Sequence, residues 1–452
     1  MTTTDWKKLE STYYMQVVNR LPLVLVKGKG TIVWDEEGKK YLDFTSGWAV
    51  VNLGHSHPAV SNAIKYQVDN IMQMTNLYYT IPQLKLAKLL IDNSCFDRVF
   101  FSNSGAEANE GACKLARKWG KEKLDGAYEI ITMDNSFHGR TLAMMAATGQ
   151  KEYQDKWQPL PDGFVNVEYN NFEALKKATK KNTCAVLLEV VQGEGGVNVP
   201  DHSYLIDVQE WCHQNNILFM VDEVQTGMGR IGTLFGYQKF GLDPDVMVLG
   251  KALGAGTPLG AFLCKERFSV LEPGDHGSTF GGNALTTAAG WAALKYIIDT
   301  DIPSQCSDAG KYLKSMLDGL ASRHSNVVDI RGYGLLIGLE ISKNKAPEVM
   351  KLCLEKGLLI NAVRPNTLRL FPPLNVTEGD INKAIAILEE VFVSDVSLFS
   401  SGVTTLSAGA ASVALGVSTT GGVVGSGVVD GCSLVVVSGV SAEVFSSFPL
   451  LA

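Results

Sequence analysis

Residues 246–261 read VMVLGKALGAGTPLGA, and this stretch carries the strongest structural signal in the chain. Val246 to Gly250 form a short apolar run that ends in glycine, a pattern typical of a buried strand. Lys251 follows at once and is expected to project from the strand end into a glycine-rich turn. Partial burial disfavours the charged form of an amine, so the neutral, nucleophilic form of Lys251 becomes accessible near neutral pH. The alternative is an exposed lysine without a chemical role, which Lys251 alone does not exclude.

A second strand end, upstream of the first, offers a carboxylate. Residues 216–227 read NILFMVDEVQTG, in which Ile217 to Val221 form another apolar run and Asp222 follows it. Open α/β sheets bind their ligands at the carboxyl ends of the strands. Asp222 could hold a protonated ring nitrogen there, and a capping or turn residue is the alternative. The two strands together predict a carboxylate and an amine that face one crevice.

Residues 99–110, VFFSNSGAEANE, predict an anion cradle. The stretch passes from an apolar strand through a turn of small residues into a helix. Free N–H groups and the positive end of the dipole at a helix start bind phosphate. Ser104, Gly105 and Ala106 allow an anion to approach the backbone closely, although an ordinary helix cap is the alternative. An amine, a carboxylate for a ring nitrogen and a phosphate cradle together describe a site for pyridoxal 5′-phosphate (PLP).

Together with four further motifs in the same chain order, these stretches resemble the class III aminotransferases of the fold-type-I PLP enzymes. The resemblance covers residues 5 to about 392. It implies an α/β fold with a large domain, whose mainly parallel sheet is flanked by helices, and a smaller α+β domain. The further motifs are SFHGRT (136–141), EVVQGEGG (189–196), HGSTFGGNAL (276–285) and RLFPPL (369–374).

The family resemblance also implies an activity. It predicts an aminotransferase that uses PLP and works as a homodimer with shared active sites. The likeness is strongest to the enzymes that move the δ-amine of N2-acetylornithine to 2-oxoglutarate, a step of arginine biosynthesis. Ornithine, 4-aminobutyrate and succinylornithine transaminases are the alternatives within the fold. A PLP-binding scaffold protein without catalysis is the alternative outside it.

The same resemblance implies roles for individual residues. Lys251 would bond to the cofactor's aldehyde and then move protons, and Asp222 would pair with the pyridinium nitrogen. Arg140 would hold the substrate carboxylate distal to the reacting amine, because the planar fork of arginine binds carboxylates bidentately. Arg369 would bind the α-carboxylate of glutamate, with Glu194 covering Arg369 during the other half-reaction. The other implied cofactor contacts come from Ser104, Gly105, Ala106, Phe137, Glu189 and Gln225, and from Thr279 across the subunit boundary.

One position bears on the choice of donor. The ornithine enzymes, as a family, place a tyrosine before the first hairpin to meet the free α-amine, and Val18 falls there in this chain. A free ammonium beside an apolar residue is poorly satisfied, whereas an acetylated nitrogen carries no charge. The sequence therefore predicts that N2-acetylornithine is preferred over ornithine.

Composition and charge argue against a nucleic-acid-binding, secreted or membrane-spanning protein. The chain has 452 residues, enough for two domains, and its net charge of −7 argues against nucleic-acid binding. The start lacks the apolar core of a signal peptide, and no membrane span is predicted. Eight cysteines are scattered without metal-site spacing, which favours reduced thiols and a cytoplasmic location. No metal site is predicted, and His55-Ser-His57 is interpreted as a turn before Pro58.

The chain divides into four predicted parts. Residues 1–54 form an N-terminal segment whose stretch 30–44 predicts a β-hairpin around Gly38. Residues 55–285 form the large PLP-binding domain and 286–392 the small C-terminal domain. Residues 393–452 form a tail rich in Ser, Gly and Val, expected to be disordered or non-catalytic. Gly227 to Gly232 fit a GxGxxG pattern, but the residues that follow are a poor helix start, which disfavours a dinucleotide site.

Overall fold

The N-terminal segment of the protein folds around the predicted hairpin. The computed structural model describes residues 3–394. Two strands pair antiparallel around a turn at Gly38, whose φ of 83° suits glycine, so the predicted hairpin is confirmed. The segment contains helix α1 (Thr3–Tyr13), strands β1 (Leu25–Lys29), β2 (Ile32–Asp35) and β3 (Lys40–Asp43), and the short left-handed turn α2 (Ser46–Ala49).

A seven-stranded sheet lies at the centre of the next part of the chain. In five of its strands every residue is buried, and most of these residues are apolar. Such continuous burial is typical of strands that are covered on both faces. The strands are β4 (Arg98–Ser102), β5 (Glu129–Met133), β6 (Phe164–Val167), β7 (Thr183–Leu188), β8 (Leu218–Asp222), β9 (Val246–Leu249) and β10 (Gly260–Cys264).

The order across this sheet is β4-β10-β9-β8-β7-β5-β6. The five strands from β9 to β6 are parallel to one another, which confirms the mainly parallel sheet. Strand β10 is the exception, because it runs antiparallel to both β4 and β9. A fully buried apolar run such as Gly260–Cys264 carries no sequence signal for strand direction.

Helices cover both faces of the central sheet. On β8, Leu218 and Met220 pack in the core on one face, whereas Phe219 and Val221 pack in the core on the other. This alternation follows from the period of two residues along a strand. The helices are α3 (Pro58–Val68), α4 (Ile81–Asp92), α5 (Gly105–Lys123), α6 (Leu142–Ala147), α7 (Lys151–Gln154), α8 (Phe172–Ala178), α9 (His202–Gln214) and α10 (Gly236–Lys239).

The C-terminal part contains a smaller antiparallel sheet of order β11-β12-β15-β14, which fits the predicted α+β domain. The remaining strand of this part, β13, pairs in parallel with β3 and so extends the N-terminal sheet. The elements are helices α11 (Ala284–Asp299), α12 (Ile302–Arg323), α13 (Ala346–Glu355) and α14 (Glu378–Ser394), and strands β11 (Val327–Tyr333), β12 (Leu336–Ile341), β13 (Leu358–Leu359), β14 (Asn361–Arg364) and β15 (Thr367–Leu370).

A fully buried arginine joins the three parts. Arg230 donates from its guanidinium to the carbonyl oxygens of Leu335 and Pro372 and to the side-chain oxygen of Asn52. Burial lowers the pKa of Arg230 to about 10, and these neutral acceptors satisfy part of its charge. The contact with Pro372 fixes the segment that follows β15, and β15 carries Arg369.

The tail predicted for residues 393–452 lies outside the described residues except for its first two positions, at which α14 ends. Within residues 3–394, no helix has both the length and the apolar composition that a bilayer crossing requires.

Candidate active site

The carboxyl ends of β5, β7, β8 and β9 meet at one edge of the central sheet, where a cavity of about 240 Å3 opens. The sequence predicted this convergence for Asp222 and Lys251, and both line the cavity. It is lined by Gly105, Ala106, Asn109, Phe137, His138, Gly139, Arg140, Glu189, Glu194, Asp222, Val224, Gln225 and Lys251.

Asp222 ends β8 and is almost completely buried, with 3% of its side chain exposed. Its Oδ2 accepts hydrogen bonds from Asn109 Nδ2 and from His138 Nδ1, each at 2.8 Å. Its Oδ1 accepts the backbone N–H of Val224 at 3.0 Å. These donors fix the orientation of the carboxylate, so Asp222 faces the cavity as a preformed anionic group.

Sequence reasoning missed the two side chains that hold Asp222. His138 is completely buried, and its backbone N–H donates to Thr148 Oγ1 at 2.9 Å. Asn109 donates to Asp222 and also to the carbonyl oxygen of His138 at 3.0 Å. Both residues occur within quoted motifs, NSGAEANE and SFHGRT, but nothing in one sequence shows that α5 and the turn after β5 converge on β8.

Lys251 follows β9 in a left-handed conformation with a φ of 44° and begins a short helical turn, Lys251–Gly254. The side chain is partly buried. Burial lowers the pKa of Lys251 below its ordinary value; the nearby Glu194 carboxylate opposes this shift, and Arg369 adds to it. The predicted effect of burial on this amine is therefore present in the structure. A larger fraction of Lys251 is neutral at a given pH than of an exposed lysine.

Helix α5 presents its N-terminus to the cavity. Ser104 caps the helix, and its hydroxyl accepts the backbone N–H of Glu107 at 3.2 Å. The N–H groups of Gly105 and Ala106 belong to the first turn, where a helix has no internal acceptor. A Cβ at Gly105 would lie 2.9 Å from Val224, so only glycine lets the helix start sit this close to the turn after β8. Gly105 and Ala106 can thus receive an anion through their backbone.

Glu189 connects the turn after β5 with the loop after β7. Its carboxylate accepts the backbone N–H of Phe137 at 2.9 Å and that of Gly193 at 3.0 Å. Burial raises the pKa of Glu189 to about 7, and the neighbouring Asp222 carboxylate adds to this effect. Glu189 therefore positions Phe137 at the cavity.

Arg140 lies at the exposed mouth of the cavity. Its guanidinium carbon is 5.4 Å from the ring centre of Phe137 and 4.3 Å from that of Tyr153. Within residues 3–394 no hydrogen bond or ion pair reaches this guanidinium. Arg140 therefore has its N–H donors available for a carboxylate, as its predicted role requires.

Arg369 is arranged in the opposite way. Its side chain is 0% exposed and is not among the cavity-lining residues of the described chain. Its Nη1 donates to Glu194 Oε1 at 2.8 Å and to Gln225 Oε1 at 2.9 Å, and Nη2 donates to Asn361 Oδ1 at 2.9 Å. Burial raises the pKa of Glu194, but Arg369 and Lys251 outweigh it and bring that pKa below its ordinary value. Glu194 thus covers Arg369 from the cavity side.

Thr279 and Val18 do not line the cavity of this single chain, and neither do the helix cap Ser104 and the covered Arg369. Thr279 is exposed, and its backbone oxygen accepts a hydrogen bond from Gln73 Nε2 at 2.6 Å. Val18 is 51% exposed and does not line the cavity within the described chain. The predicted contact of Thr279 with the phosphate of a partner subunit therefore stays a prediction, as does the role of Val18.

The alternative sites are weaker on structural grounds. His55 Nε2 pairs with Asp43 Oδ2 at 2.8 Å, and His57 precedes helix α3. No cluster of His, Cys, Asp and Glu in the described part of the chain has the composition of a metal site. Gly227 to Gly232 form turns and open no helix, in contrast to a dinucleotide-binding loop.

The side chains around the cavity fit PLP. His138 Nε2 and Asn109 Oδ1 are buried polar atoms without a partner among the described residues, and they lie next to a carboxylate suited to a pyridinium nitrogen. Gly105 and Ala106 suit the phosphate, and Lys251 suits the aldehyde. Phe137 and Val224 line the same cavity and offer apolar contacts for a ring.

Comparisons with known proteins agree with this geometry. The family model "Aminotransferase class-III" matches residues 13–392. An acetylornithine aminotransferase from Caldanaerobacter subterraneus subsp. tengcongensis is 49% identical over 84% of this chain and 98% of its own length. A crystal structure of ornithine aminotransferase from Toxoplasma gondii ME49 has a TM-score of 0.83 at 32% identity, over 87% of this chain and 96% of that one. A crystal structure of acetylornithine aminotransferase from Elizabethkingia anophelis has a TM-score of 0.78 at 33% identity, over 87% of this chain and 100% of that one.

Proposed function

We propose that this chain, a PLP-dependent class III aminotransferase, transfers the δ-amino group of N2-acetylornithine to 2-oxoglutarate. The chain belongs to the class III aminotransferases because the family model matches residues 13–392 and a relative is 49% identical over 84% of the chain. PLP is the cofactor of this family. The products would be N-acetylglutamate 5-semialdehyde and glutamate, in arginine biosynthesis.

The contrast between the two arginines carries this proposal. Arg140, at the cavity mouth, has no ion-pair partner among residues 3–394, whereas Glu194 covers Arg369. One cavity could therefore accept a donor with one carboxylate while Arg369 stays covered. It could accept a dicarboxylate when Glu194 moves away. N2-acetylornithine has one carboxylate, and 2-oxoglutarate has two.

The residues around Lys251 supply the proton chemistry. When bound, PLP supplies an aldehyde for the substrate amine and an electron-withdrawing ring for the carbon that carries this amine. Asp222, held by Asn109 and His138, would hold the proton on the ring nitrogen of bound PLP. The amine of Lys251 acts as general base and acid at the reacting carbon, a role worth about 10²–10⁴ in rate.

Two points support the acetylated donor over ornithine. The relative from Caldanaerobacter, 49% identical over 84% of this chain, is an acetylornithine aminotransferase. By the family resemblance, Val18 falls where the ornithine enzymes place a tyrosine, so a free α-ammonium would lack that polar partner. The overall fold does not decide the donor, because solved structures of both kinds of enzyme superpose on this chain.

We also propose a homodimer in which Thr279 reaches the phosphate of the neighbouring subunit. A group of large apolar side chains is exposed between α3 and α4 and next to Thr279; Leu77 is 85%, Tyr79 93% and Phe280 60% exposed. Exposed apolar groups of this size mark interaction surfaces. A monomer in light scattering that retains full activity and bound PLP would contradict this arrangement.

We place the enzyme in the cytoplasm, since the described cysteines are free and most are buried.

A donor panel tests the proposed reaction. Purified protein with PLP is assayed with 2-oxoglutarate and each of four donors: N2-acetylornithine, ornithine, 4-aminobutyrate and N2-succinylornithine. We expect kcat/KM for N2-acetylornithine to exceed that for ornithine by about tenfold, because a charged group that loses its polar partner costs about 1–3 kcal/mol. Equal or better use of ornithine contradicts the proposed donor. Visible absorbance that does not change on addition of any donor would favour a non-catalytic scaffold.

A further inference from the structure

We propose that Tyr153 is a positioning residue for donor recognition: its ring holds Arg140 over the cavity and thereby strengthens selection for a donor that carries a carboxylate. This inference rests on the proposed function, in which Arg140 binds that carboxylate. Tyr153 lies in the short helix α7, outside the family motifs in the sequence.

The backbone around Arg140 is fixed on both sides. Gly139 has a φ of 147°, and a Cβ there would lie 2.7 Å from the Cβ of Ala106, so the turn is packed tightly against α5. On the other side, Thr141 donates from its hydroxyl to Glu110 Oε1 at 2.6 Å. The conformational freedom that remains at Arg140 is therefore in its long side chain.

Two aromatic rings are the contacts that restrict this side chain. The guanidinium carbon lies 4.3 Å from the ring centre of Tyr153 and 5.4 Å from that of Phe137. Both distances are within the range in which a cation is attracted to a ring face. Stacking on a ring leaves the N–H edge of a guanidinium free, whereas an ion pair would occupy it. The rings can orient Arg140 without competing with a carboxylate.

The backbone that carries Tyr153 is held in place. The backbone N–H of Tyr153 donates to the carbonyl oxygen of Gln150 at 3.0 Å, and Gln150 Nε2 donates to the carbonyl oxygen of Ser136 at 2.9 Å. The next residue, Gln154, donates to the carbonyl oxygen of Thr148 at 2.9 Å. Helix α7 is thus attached to the turn that carries Phe137 and Arg140, so the backbones that carry the two rings are joined.

Tyr153 acts through Arg140 and not on the reacting atoms. It is half-buried and is absent from the cavity-lining residues of the described chain, whereas Phe137 lines the cavity. A change at Tyr153 can therefore alter the orientation of Arg140 without removing a contact to the cofactor. This separation makes the inference testable.

The test compares two donors that differ only in the carboxylate. N-acetyl-1,4-diaminobutane is N2-acetylornithine without its carboxyl group. The variants are Tyr153→Leu and Tyr153→Met, which remove the ring, and Tyr153→Phe, which keeps it. Tyr128→Leu, at the opposite end of β5, is the control for loss of an exposed tyrosine. For each PLP-loaded enzyme, kcat and KM are measured with both donors. The Kd of N-acetyl-L-norvaline, which has the carboxylate but no δ-amine, is measured by calorimetry.

We expect the ring-free variants to raise KM for N2-acetylornithine and the Kd of N-acetyl-L-norvaline by about two- to fivefold, the factor of one exposed cation–π contact. The kcat for N2-acetylornithine and the kcat/KM for N-acetyl-1,4-diaminobutane should stay at the parent values. Preference for the carboxylated donor then falls by the same factor. Tyr153→Phe and Tyr128→Leu should keep the parent preference.

Several results would overturn the inference. In ring-free variants that bind PLP like the parent, an equal loss with both donors would show a general structural role, and an unchanged preference would show no role. Should Tyr153→Leu not fold, Tyr153→Met decides by the same criteria. Loss of preference in Tyr153→Phe would assign the effect to the hydroxyl instead of the ring. Failure of the proposed function can be told apart from failure of the inference on Tyr153. In the first case, the parent enzyme itself would show no preference for the carboxylated donor.

Discussion

The two arginines beside the cavity differ in what satisfies their guanidinium groups. Arg369 is fully buried and donates to Glu194, Gln225 and Asn361 at 2.8–2.9 Å. Arg140 is exposed, and in the described chain only the rings of Phe137 and Tyr153 restrict it. A carboxylate can therefore bind Arg140 without breaking any contact, but it must displace Glu194 to reach Arg369.

This difference explains how one cavity can serve unlike substrates. Each substrate of the proposed reaction has a carboxylate distal to the reacting carbon, and Arg140 can receive it in both half-reactions. Only glutamate and 2-oxoglutarate have a second carboxylate, next to the reacting carbon, which can replace Glu194 on Arg369. In the proposed reaction, both substrates would use the exposed Arg140, and only the dicarboxylate would use the covered Arg369.

The largest loss of activity is expected when the amine of Lys251 is removed. Lys251→Ala should lower kcat by at least about 10³-fold in both half-reactions, because the general base is lost. The fold should remain intact, since the substitution shortens one side chain at the cavity edge. Kinetics without added amine and thermal unfolding measure these effects, with Lys295→Ala on α11 as control. Substantial turnover by the variant would remove Lys251 from its assigned role.

A smaller effect is expected from the side chains that hold Asp222, and it concerns the affinity for PLP. His138→Leu removes one of the hydrogen-bond donors to Asp222 and should raise the dissociation constant of PLP about tenfold or more. Both substrates should be affected alike, in contrast to changes at the arginines. Equilibrium dialysis measures PLP affinity, and His202→Leu on α9 is the control. Unchanged PLP affinity would show that the hydrogen bonds from Asn109 and Val224 are sufficient to orient Asp222.

Neutralising Glu194 should shift the balance between the substrates. Glu194→Gln weakens the cover on Arg369, so kcat/KM for glutamate should rise relative to that for N2-acetylornithine by about three- to tenfold. Steady-state kinetics of each half-reaction measure the ratio. A ratio that stays at the parent value would mean that Glu194 does not control access to Arg369.

The same variant has a consequence for pH. Burial lowers the pKa of Lys251, and the Glu194 carboxylate opposes that shift. Removing the carboxylate should lower the pKa of Lys251 further, so the neutral amine persists to lower pH. Labelling of Lys251 by acetic anhydride in the PLP-free protein should then reach half its maximum rate at a lower pH than in the parent. A shift to higher pH would contradict this coupling.

The smallest effect is expected from the end of the chain. The family match stops at residue 392, and the residues named for the cavity all precede the end of α14 at Ser394. A chain shortened to residues 1–394 should therefore keep kcat/KM within about twofold for both substrates, a change of less than 0.5 kcal/mol. Kinetics and PLP content of the two chains test this expectation. Loss of PLP, or a tenfold fall in kcat/KM, would show that residues 395–452 contribute to PLP binding or to catalysis.

Much of the fold followed from apolar runs and from what ends them. The runs before Asp222 and Lys251 predicted neighbouring buried strands, since parallel strands place their carboxyl ends at one edge. The direction of β10 did not follow, because Gly260–Cys264 is buried and apolar whichever way it runs. The pairing of β13 with β3 joins residues far apart in sequence, and no local pattern predicts it.

The site was predictable where chemistry limits the residue type. An amine, a carboxylate and a helix start each have a sequence signature, and Lys251, Asp222 and Gly105 all line the cavity. The supporting side chains were not predictable, because Asn109 and His138 become partners of Asp222 only after three elements pack together. The covering of Arg369 by Glu194 was implied by the family resemblance and is present in the structure.

The difference between the two arginines can be tested most directly by making the same substitution at each. Arg140→Lys and Arg369→Lys keep the positive charge, so Glu194 is not left unpaired, but both lose the bidentate fork. Each half-reaction is followed separately, with N2-acetylornithine or glutamate added to the PLP enzyme. Arg369→Lys should lower kcat/KM for glutamate by about tenfold or more and leave that for N2-acetylornithine within about threefold, whereas Arg140→Lys should lower both. Equal losses for both substrates in Arg369→Lys, or an unchanged glutamate reaction in Arg140→Lys, would contradict the account.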